Sequence, residues 1–372
     1  MLVRSVTYRN FRNLSDVTFL PDPGVNVLHG KNAQGKTNVL EGIYLFAQGR
    51  SFRTPHESDL TRFGETEAGV SLAYVSEKTP EKLRTVDIRW SLTLKKRILR
   101  VDSVPVSRMS EMIGGFRAVL FCPQHLSLVN DGPAIRRNFL DVAISQLEPR
   151  YLASLQSYRR LLEQRNARLR QLKAEAIGAY PKTDATAEVI SAQMAKEAAF
   201  LAGRRYEYTE KLSGECASFF ADLTAADGFT EKEVPSLRYR TPKTEEEYRK
   251  ALTENLDGEI RMGVTLYGIQ KDDVEIRLNG HDARIFASQG QQRSLALALK
   301  FGEGALSARI SGEEPVYLLD DILSELDGVR REYLLSGIRR KQVILTSCDP
   351  LPIECRRVEV VNGTLLPANG RR

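Results

Sequence analysis

Eight consecutive residues, Gly30-Lys31-Asn32-Ala33-Gln34-Gly35-Lys36-Thr37, satisfy the pattern G-x-x-x-x-G-K-[ST]. Nothing else in the chain limits its fold as tightly. Such a loop needs a strand before it and a helix after it. Its glycines curl the backbone until amide N–H groups point at phosphate oxygens, and the helix adds its positive N-terminal end. Both flanks are legible. Val25-Asn26-Val27-Leu28 is a short apolar run between Pro23-Gly24 and Gly30, and Val39, Leu40, Ile43 and Tyr44 follow at helical spacing. The expected ligand is a nucleoside triphosphate with Mg²⁺: Lys36 reaches the β- and γ-phosphates, and the Thr37 hydroxyl holds the metal.

Two further segments extend the site. Val316-Tyr317-Leu318-Leu319-Asp320-Asp321 is an apolar run ending in two acids. Buried strands of α/β folds deliver such carboxylates to the ligand crevice, so Asp320 is expected to complete the metal shell and Asp321 to orient or deprotonate water. Ser288-Gln289-Gly290-Gln291-Gln292-Arg293 opens a helix, and a glycine among polar residues at a helix start makes a second anion site. Two phosphate-binding elements in one chain suggest a nucleotide sandwiched between two subunits.

The remaining pattern is α/β. Residues 86–94 alternate apolar and polar, Lys95-Lys96-Arg97 reads as a turn, and 98–106 as a returning strand, so the early region is a mixed or antiparallel sheet. Leu152, Leu155, Tyr158, Leu162, Leu169 and Leu172 form a helical stripe, and a second helix spans about 185–217. Strands are expected near Val264 and over 274–278. Helices then alternate with strands at 316–320 and 343–345.

The matching stretches run nearly end to end: Asn10-Phe11-Arg12-Asn13-Leu14, the phosphate loop through Glu41, Val119-Leu120-Phe121, Arg136-Arg137-Asn138-Phe139-Leu140-Asp141, Gln164-Arg165-Asn166, Asn279-Gly280-His281-Asp282-Ala283-Arg284, 286–293, and Leu323-Ser324-Glu325-Leu326-Asp327. On these the chain resembles the RecF family of recombinational-repair ATPases, within the SMC/Rad50-like ABC-type ATPase superfamily. The resemblance implies an ABC-type P-loop ATPase head with a mixed sheet, residues 1–125 and 255–372, and a short α-helical arm (lobe II) at 126–254. It implies ATP as the nucleotide, Arg12 near it, and Gln124 at the Q-loop position that senses metal or water. Ser288 and Gly290 would cap the γ-phosphate of an opposing subunit, and Asp327 would lie at the dimer contact. The implied activity is a weak, DNA-stimulated ATPase serving as a switch: an ATP-dependent homodimer that clamps DNA, loads recombinase at gaps with RecO- and RecR-type partners, and supports SOS induction. Departures are visible too. Gly268-Ile269-Gln270-Lys271-Asp272-Asp273 stands where the family usually has Gly-Pro-His-Arg-Asp-Asp, Gln124 where Glu is common, and Cys348 where transporter relatives carry a switch histidine.

Charge supports a DNA partner only locally, because 54 basic residues against 48 acidic is a mild excess. Between Arg150 and Lys173 lie Arg159, Arg160, Arg165, Arg168 and Arg170 with Glu163 as the lone acid, and Lys95 and Lys96 belong to a second basic cluster at 82–108. Without a base-reading motif, binding is expected to be backbone-driven and salt-sensitive. The four cysteines form no CxxC pair, no long apolar run occurs, and no charged-then-apolar leader opens the chain, so a cytoplasmic, non-membrane protein is expected. The alternative, the ATP-binding subunit of an ABC transporter, would show a Ser-Gly-Gly cap and a switch histidine.

Overall fold

The strand Val25–His29 enters the phosphate loop with its middle residues buried. It lies at the centre of a six-stranded sheet in the computed structural model, which describes residues 1–176, 179–226, 233–338, 341–348, 351 and 355–367. The strands follow the order Thr364–Pro367, Arg356–Val361, Val25–His29, Val343–Ser347, Val316–Leu319, Ala118–Phe121. All neighbours pair in parallel except the Thr364–Pro367 edge. Parallel strands are covered on both faces, which is why 118–121, 316–319 and 343–346 are unbroken apolar or small runs and wholly buried. Register aligns Leu319 with Phe121 and Leu345, and Ser347 with His29. Five segments therefore leave the sheet at one carboxyl edge, the fifth being the turn after Val361.

A second six-stranded sheet is antiparallel throughout, in the order Val17–Phe19, Leu2–Arg9, Glu67–Ser76, Thr79–Ser91, Lys96–Val101, Val104–Val106. The expected hairpin is present, but its turn lies at 92–95 rather than 95–97, and Lys96 and Arg97 already belong to the returning strand. The returning strand is split, because Asp102 and Ser103 take φ values of 48° and 67° and turn the chain again.

Two compact units emerge. One comprises Met1–Val129, Glu215–Val234 and Ala287–Arg372, the other Asn130–Gly214 and Pro235–Phe286. This grouping differs from the expected bounds of 126 and 254 in three stretches: 126–129 and 215–234 join the first unit, and 255–286 the second. Leu223 packs in the core of the first unit with Phe301, Tyr317 and Leu334. Conversely, Val274–Leu278 pairs with Pro235–Tyr239 inside the second unit. The strand expected near Val264 is not formed. Helix Leu256–Met262 instead ends at Gly263, whose φ of 71° is the left-handed cap that glycine adopts without strain.

The second unit consists of helices and a three-stranded sheet, and it is organised around two buried arginines. Arg165 is 0% exposed: it pairs with Glu259 at 2.6 Å and donates to Ser191 Oγ, Thr265 Oγ1 and Leu252 O. Arg205 bonds Asp141 Oδ1, Tyr151 Oη and Ile269 O. Every nitrogen of both guanidinium groups has an acceptor and each group a carboxylate beside it, the condition under which a buried charge is tolerated.

Candidate functional site

The phosphate loop owes its shape to residues that only small side chains permit. Gly30 takes φ 146°, and a Cβ there would lie 2.5 Å from Val360 O; Gly35 takes φ 113° against Asn13. Helix Lys36–Gln48 begins directly after Gly35, which has no side chain to cap it, so its first amides remain for an anion. The Lys36 ammonium, almost fully buried, donates to Gly30 O and Lys31 O, curling inside the loop it serves.

Thr37 Oγ1 donates to Asp320 Oδ1 at 2.8 Å, and Thr346 Oγ1 donates to the same oxygen at 3.0 Å. Burial pushes the Asp320 carboxyl upward, and the hydroxyls of Thr37 and Thr346 pull the other way. Asp321 follows in the left-handed conformation, φ 52°, with its N–H given to Thr346 Oγ1. A hydroxyl and a carboxylate at contact distance, beside an anion-binding loop, are the hard oxygen donors that Mg²⁺ shares with phosphate oxygens and water. No cluster of three or more His, Cys, Asp or Glu side chains occurs among the described residues, so the ion would depend on the triphosphate for part of its shell. Asp321→Asn is expected to keep the fold, since Asn tolerates the left-handed conformation as well as Asp. Hydrolysis should fall about a hundredfold in a phosphate-release assay while nucleotide binding persists.

The other predicted positions lie around this centre. Gln124 is exposed on the one-turn helix Pro123–Ser127 that leaves the edge strand Ala118–Phe121; its hydroxyl neighbour Ser127 donates to Gln124 O. That turn is pinned by the Cys122 N–H donating to His125 Nδ1, an imidazole that burial holds well below its usual pKa. Cys348 Sγ donates to Asn32 Oδ1 at 3.1 Å and lies 3.9 Å from Lys36 Nζ, so Cys348 touches the loop. Ser288 caps helix Gln289–Ser311 by accepting from the Gln291 N–H, and it is exposed. Gly290 O accepts from Ser294 Oγ, which in turn accepts from Arg330 Nε. Asp327 accepts the Arg330 N–H; burial alone would raise its pKa, but that bond and the guanidinium hold it below the usual value.

Arg12 is held differently from a freely reaching nucleotide ligand: it forks onto Glu41 with bonds of 2.9 and 2.7 Å. Glu41 is 0% exposed and also accepts from Ser51 Oγ and Arg53 Nη1. Arg53 bonds Asn38 Oδ1 too, and Asn38 donates to Asn13 Oδ1. An open groove of about 780 Å³ beside the loop is lined by Arg12, Asn13, Asn38, Arg53 and Phe63, room for the nucleoside part of a nucleotide. Sequence reasoning missed Glu41 as the hub and Arg53 as its second partner. A glutamate in an otherwise apolar helix face was the available signal.

Residues 2–354 match the family described as the RecF/RecN/SMC N terminal domain. The chain is 34% identical over 98% of its length to the DNA replication and repair protein RecF of Clostridium novyi, covering 99% of that protein. It is 35% identical to the Staphylococcus aureus protein of the same name, over 95% of each. The chain belongs to the RecF family. Two solved structures of the recombination mediator protein RecF in the RecFOR pathway, RecF-ATPrS and RecF-ATP, superpose on it with TM-scores of 0.89 and 0.88 at 29% and 28% identity. Each comparison covers 98% of this chain, with 98% and 96% of the two RecF chains covered. An Smc head domain from Pyrococcus furiosus shares the fold, at a TM-score of 0.57 and 16% identity over 98% of this chain and 95% of its own. The fold is thus the α/β ABC-type ATPase head. The transporter-subunit alternative is not favoured.

For this RecF-family chain the basic helix divides into two kinds of residue. Arg165 is a correction: its side chain is sealed inside the second unit against Glu259 and meets no solvent, so it contacts no DNA. Arg168 is tied to Asp184 by a fork of 3.1 and 2.6 Å, and Arg159 reaches Asp141 at 3.2 Å. Arg160, Arg170 and Lys173 are exposed on helix Pro149–Glu175. Lys95 is exposed in the hairpin turn, and Lys96 is exposed at the start of the strand that follows it. No described helix is long and apolar enough to cross a membrane.

Proposed function

We propose that the protein is an ATP-dependent DNA-binding protein of recombinational repair and replication restart, working as a dimeric clamp. The carrying observation is convergence: the phosphate loop, Asp320-Asp321, Gln124 and Cys348 all follow parallel strands at one sheet edge. The relatives solved with ATP lend the nucleotide its identity. In this reading Lys36 and the loop amides bind the triphosphate, while Thr37 and Asp320 hold Mg²⁺, which neutralises phosphate charge when bound. Asp321 and Gln124 orient water. Ser288 and Gly290, exposed or half-buried at a helix start, serve the nucleotide of a second copy. ATP closes the dimer only through its greater affinity for the closed form, and hydrolysis releases it. Partners of RecO and RecR type follow from the pathway of the solved relatives, and a cytoplasmic setting from the DNA substrate.

The test is gel filtration with ATP and Mg²⁺, then duplex binding at several salt concentrations. Ser288→Arg places a bulky cation where the second protomer must approach. It is expected to leave ATP affinity within about twofold of the parent while abolishing the ATP-dependent dimer; dimerisation in that variant would overturn the clamp.

The exposed face of the basic helix gives a separate expectation. Replacing Arg160 and Lys173 with Glu should weaken duplex binding uniformly across sequences. The plot of log affinity against log salt should flatten by about one unit for each phosphate that is no longer neutralised. An unchanged slope would leave that face simply solvated.

A further inference from the structure

Resting on the DNA-binding reading above, we infer that the second unit carries a pocket for a single unpaired nucleotide of a DNA strand. The pocket measures about 130 Å³ and lies entirely among residues 239–272. Tyr239, Tyr248 and Tyr267 contribute its aromatic walls. Arg240, Lys243 and Lys271 stand exposed at its margin, whereas Asp272 is buried, at 8% exposure.

The charges are layered in a way that selects the ligand. Asp272 Oδ2 accepts from the Tyr239 hydroxyl and lies 4.0 Å from the buried Arg205 guanidinium. Its Oδ1 has no hydrogen-bond partner among the described residues. A bare phosphate is attracted by the outer cations but repelled by that carboxylate, and a cationic side chain meets the reverse. A nucleotide satisfies both layers. Its phosphate stays with the lysines and arginine, its base enters between tyrosines, and a base N–H donates to Asp272 Oδ1. The volume admits one base and not a base pair. Stacking on aromatic rings inside a basic groove is how single strands are held without sequence preference.

The pocket includes part of the 268–273 stretch that departs from the family pattern. Gly268 takes φ 130°, and a Cβ there would lie 2.3 Å from the Tyr158 hydroxyl, so the loop approaches the helix as closely as only glycine allows. Gln270, bonded to Tyr158 Oη and to Tyr267 O, fixes the next turn, which leaves Lys271 at the margin.

The experiment uses the full chain and two probes: a trinucleotide with 2-aminopurine at its centre, and a blunt duplex. Binding of the trinucleotide is expected to quench 2-aminopurine emission saturably. Tyr267→Ala, at a position already 39% exposed, should weaken that binding about tenfold and restore the emission. Lys243→Ala should weaken it about threefold, with a shallower salt dependence. Blunt-duplex affinity should change by less than twofold in both variants. Absence of quenching, or equal losses on trinucleotide and duplex, would overturn the pocket even where ATP-dependent duplex binding is intact. Failure of the blunt duplex to bind would instead count against the clamp, and the trinucleotide would still decide the pocket.

Discussion

Lys36→Met is expected to lower ATP affinity by about a hundredfold and to remove the ATP-dependent dimer altogether, with little change in melting temperature. Methionine keeps the length and apolar stem of lysine and removes the charge. In the structure that charge is satisfied by Gly30 O and Lys31 O, two carbonyls near the loop surface that water can serve in its place. The fold therefore loses little. The triphosphate loses a preorganised, desolvated cation, and removal of one such donor from a developing or resident anion costs on the order of 3 kcal/mol. Equilibrium titration with a fluorescent ATP analogue measures the first effect, and light scattering with ATP and Mg²⁺ the second. A Lys36→Met protein that still dimerises with ATP would dissociate nucleotide binding from the clamp and defeat the mechanism.

The parts of the site visible in the sequence share one property: their chemistry is set by local chain order. A phosphate loop must follow a strand and precede a helix, so Gly30 to Thr37 carried its own context. The run Val316 to Leu319 reads as a buried parallel strand because both of its faces are covered, and its terminal acids then had one place to go. What local order does not encode is the partner of a charge. A glutamate on an apolar helix face marks Glu41 as unusual, but nothing in its neighbourhood announces that Arg12 forks onto it or that Arg53 joins them. Likewise, strand order in the central sheet depends on crossovers, so the arrival of Cys348 beside Asn32 is a tertiary result.

The basic helix shows a different limit, because there the signal existed and charge obscured it. Tyr151, Leu155, Tyr158, Leu161, Leu169 and Leu172 are its buried apolar residues, and Arg165 falls seven residues after Tyr158 and four before Leu169. By phase alone Arg165 belongs to the inner face. A helix is a cylinder rather than a line of charges, so Arg165 and the exposed Arg160 do not share a face. Val264 illustrates the related case of a β-branched residue beside a glycine: the glycine ends a helix, and no strand follows.

That placement makes Arg165→Met the second large effect, and one on stability rather than on DNA. Removing the guanidinium leaves Glu259 buried without its countercharge and takes donors from Ser191, Thr265 and Leu252 O at once. Breaking a sealed ion pair by deleting one member costs about 3–5 kcal/mol, whereas replacing both members with apolar groups of similar volume is often neutral. Arg165→Met is therefore expected to lower the melting temperature by about 10 °C or more, and Arg165→Met with Glu259→Met to recover most of the loss. Arg165→Lys should behave more like the methionine variant than the parent, because one ammonium cannot reproduce a planar fork with three separate acceptors besides the carboxylate. Thermal melts by circular dichroism read the series, with the surface variant Arg160→Glu as the control that should melt like the parent. If Arg165→Met instead melted normally and lost only DNA affinity, the guanidinium would have to reach solvent, and the buried assignment of this helix face would fall with it.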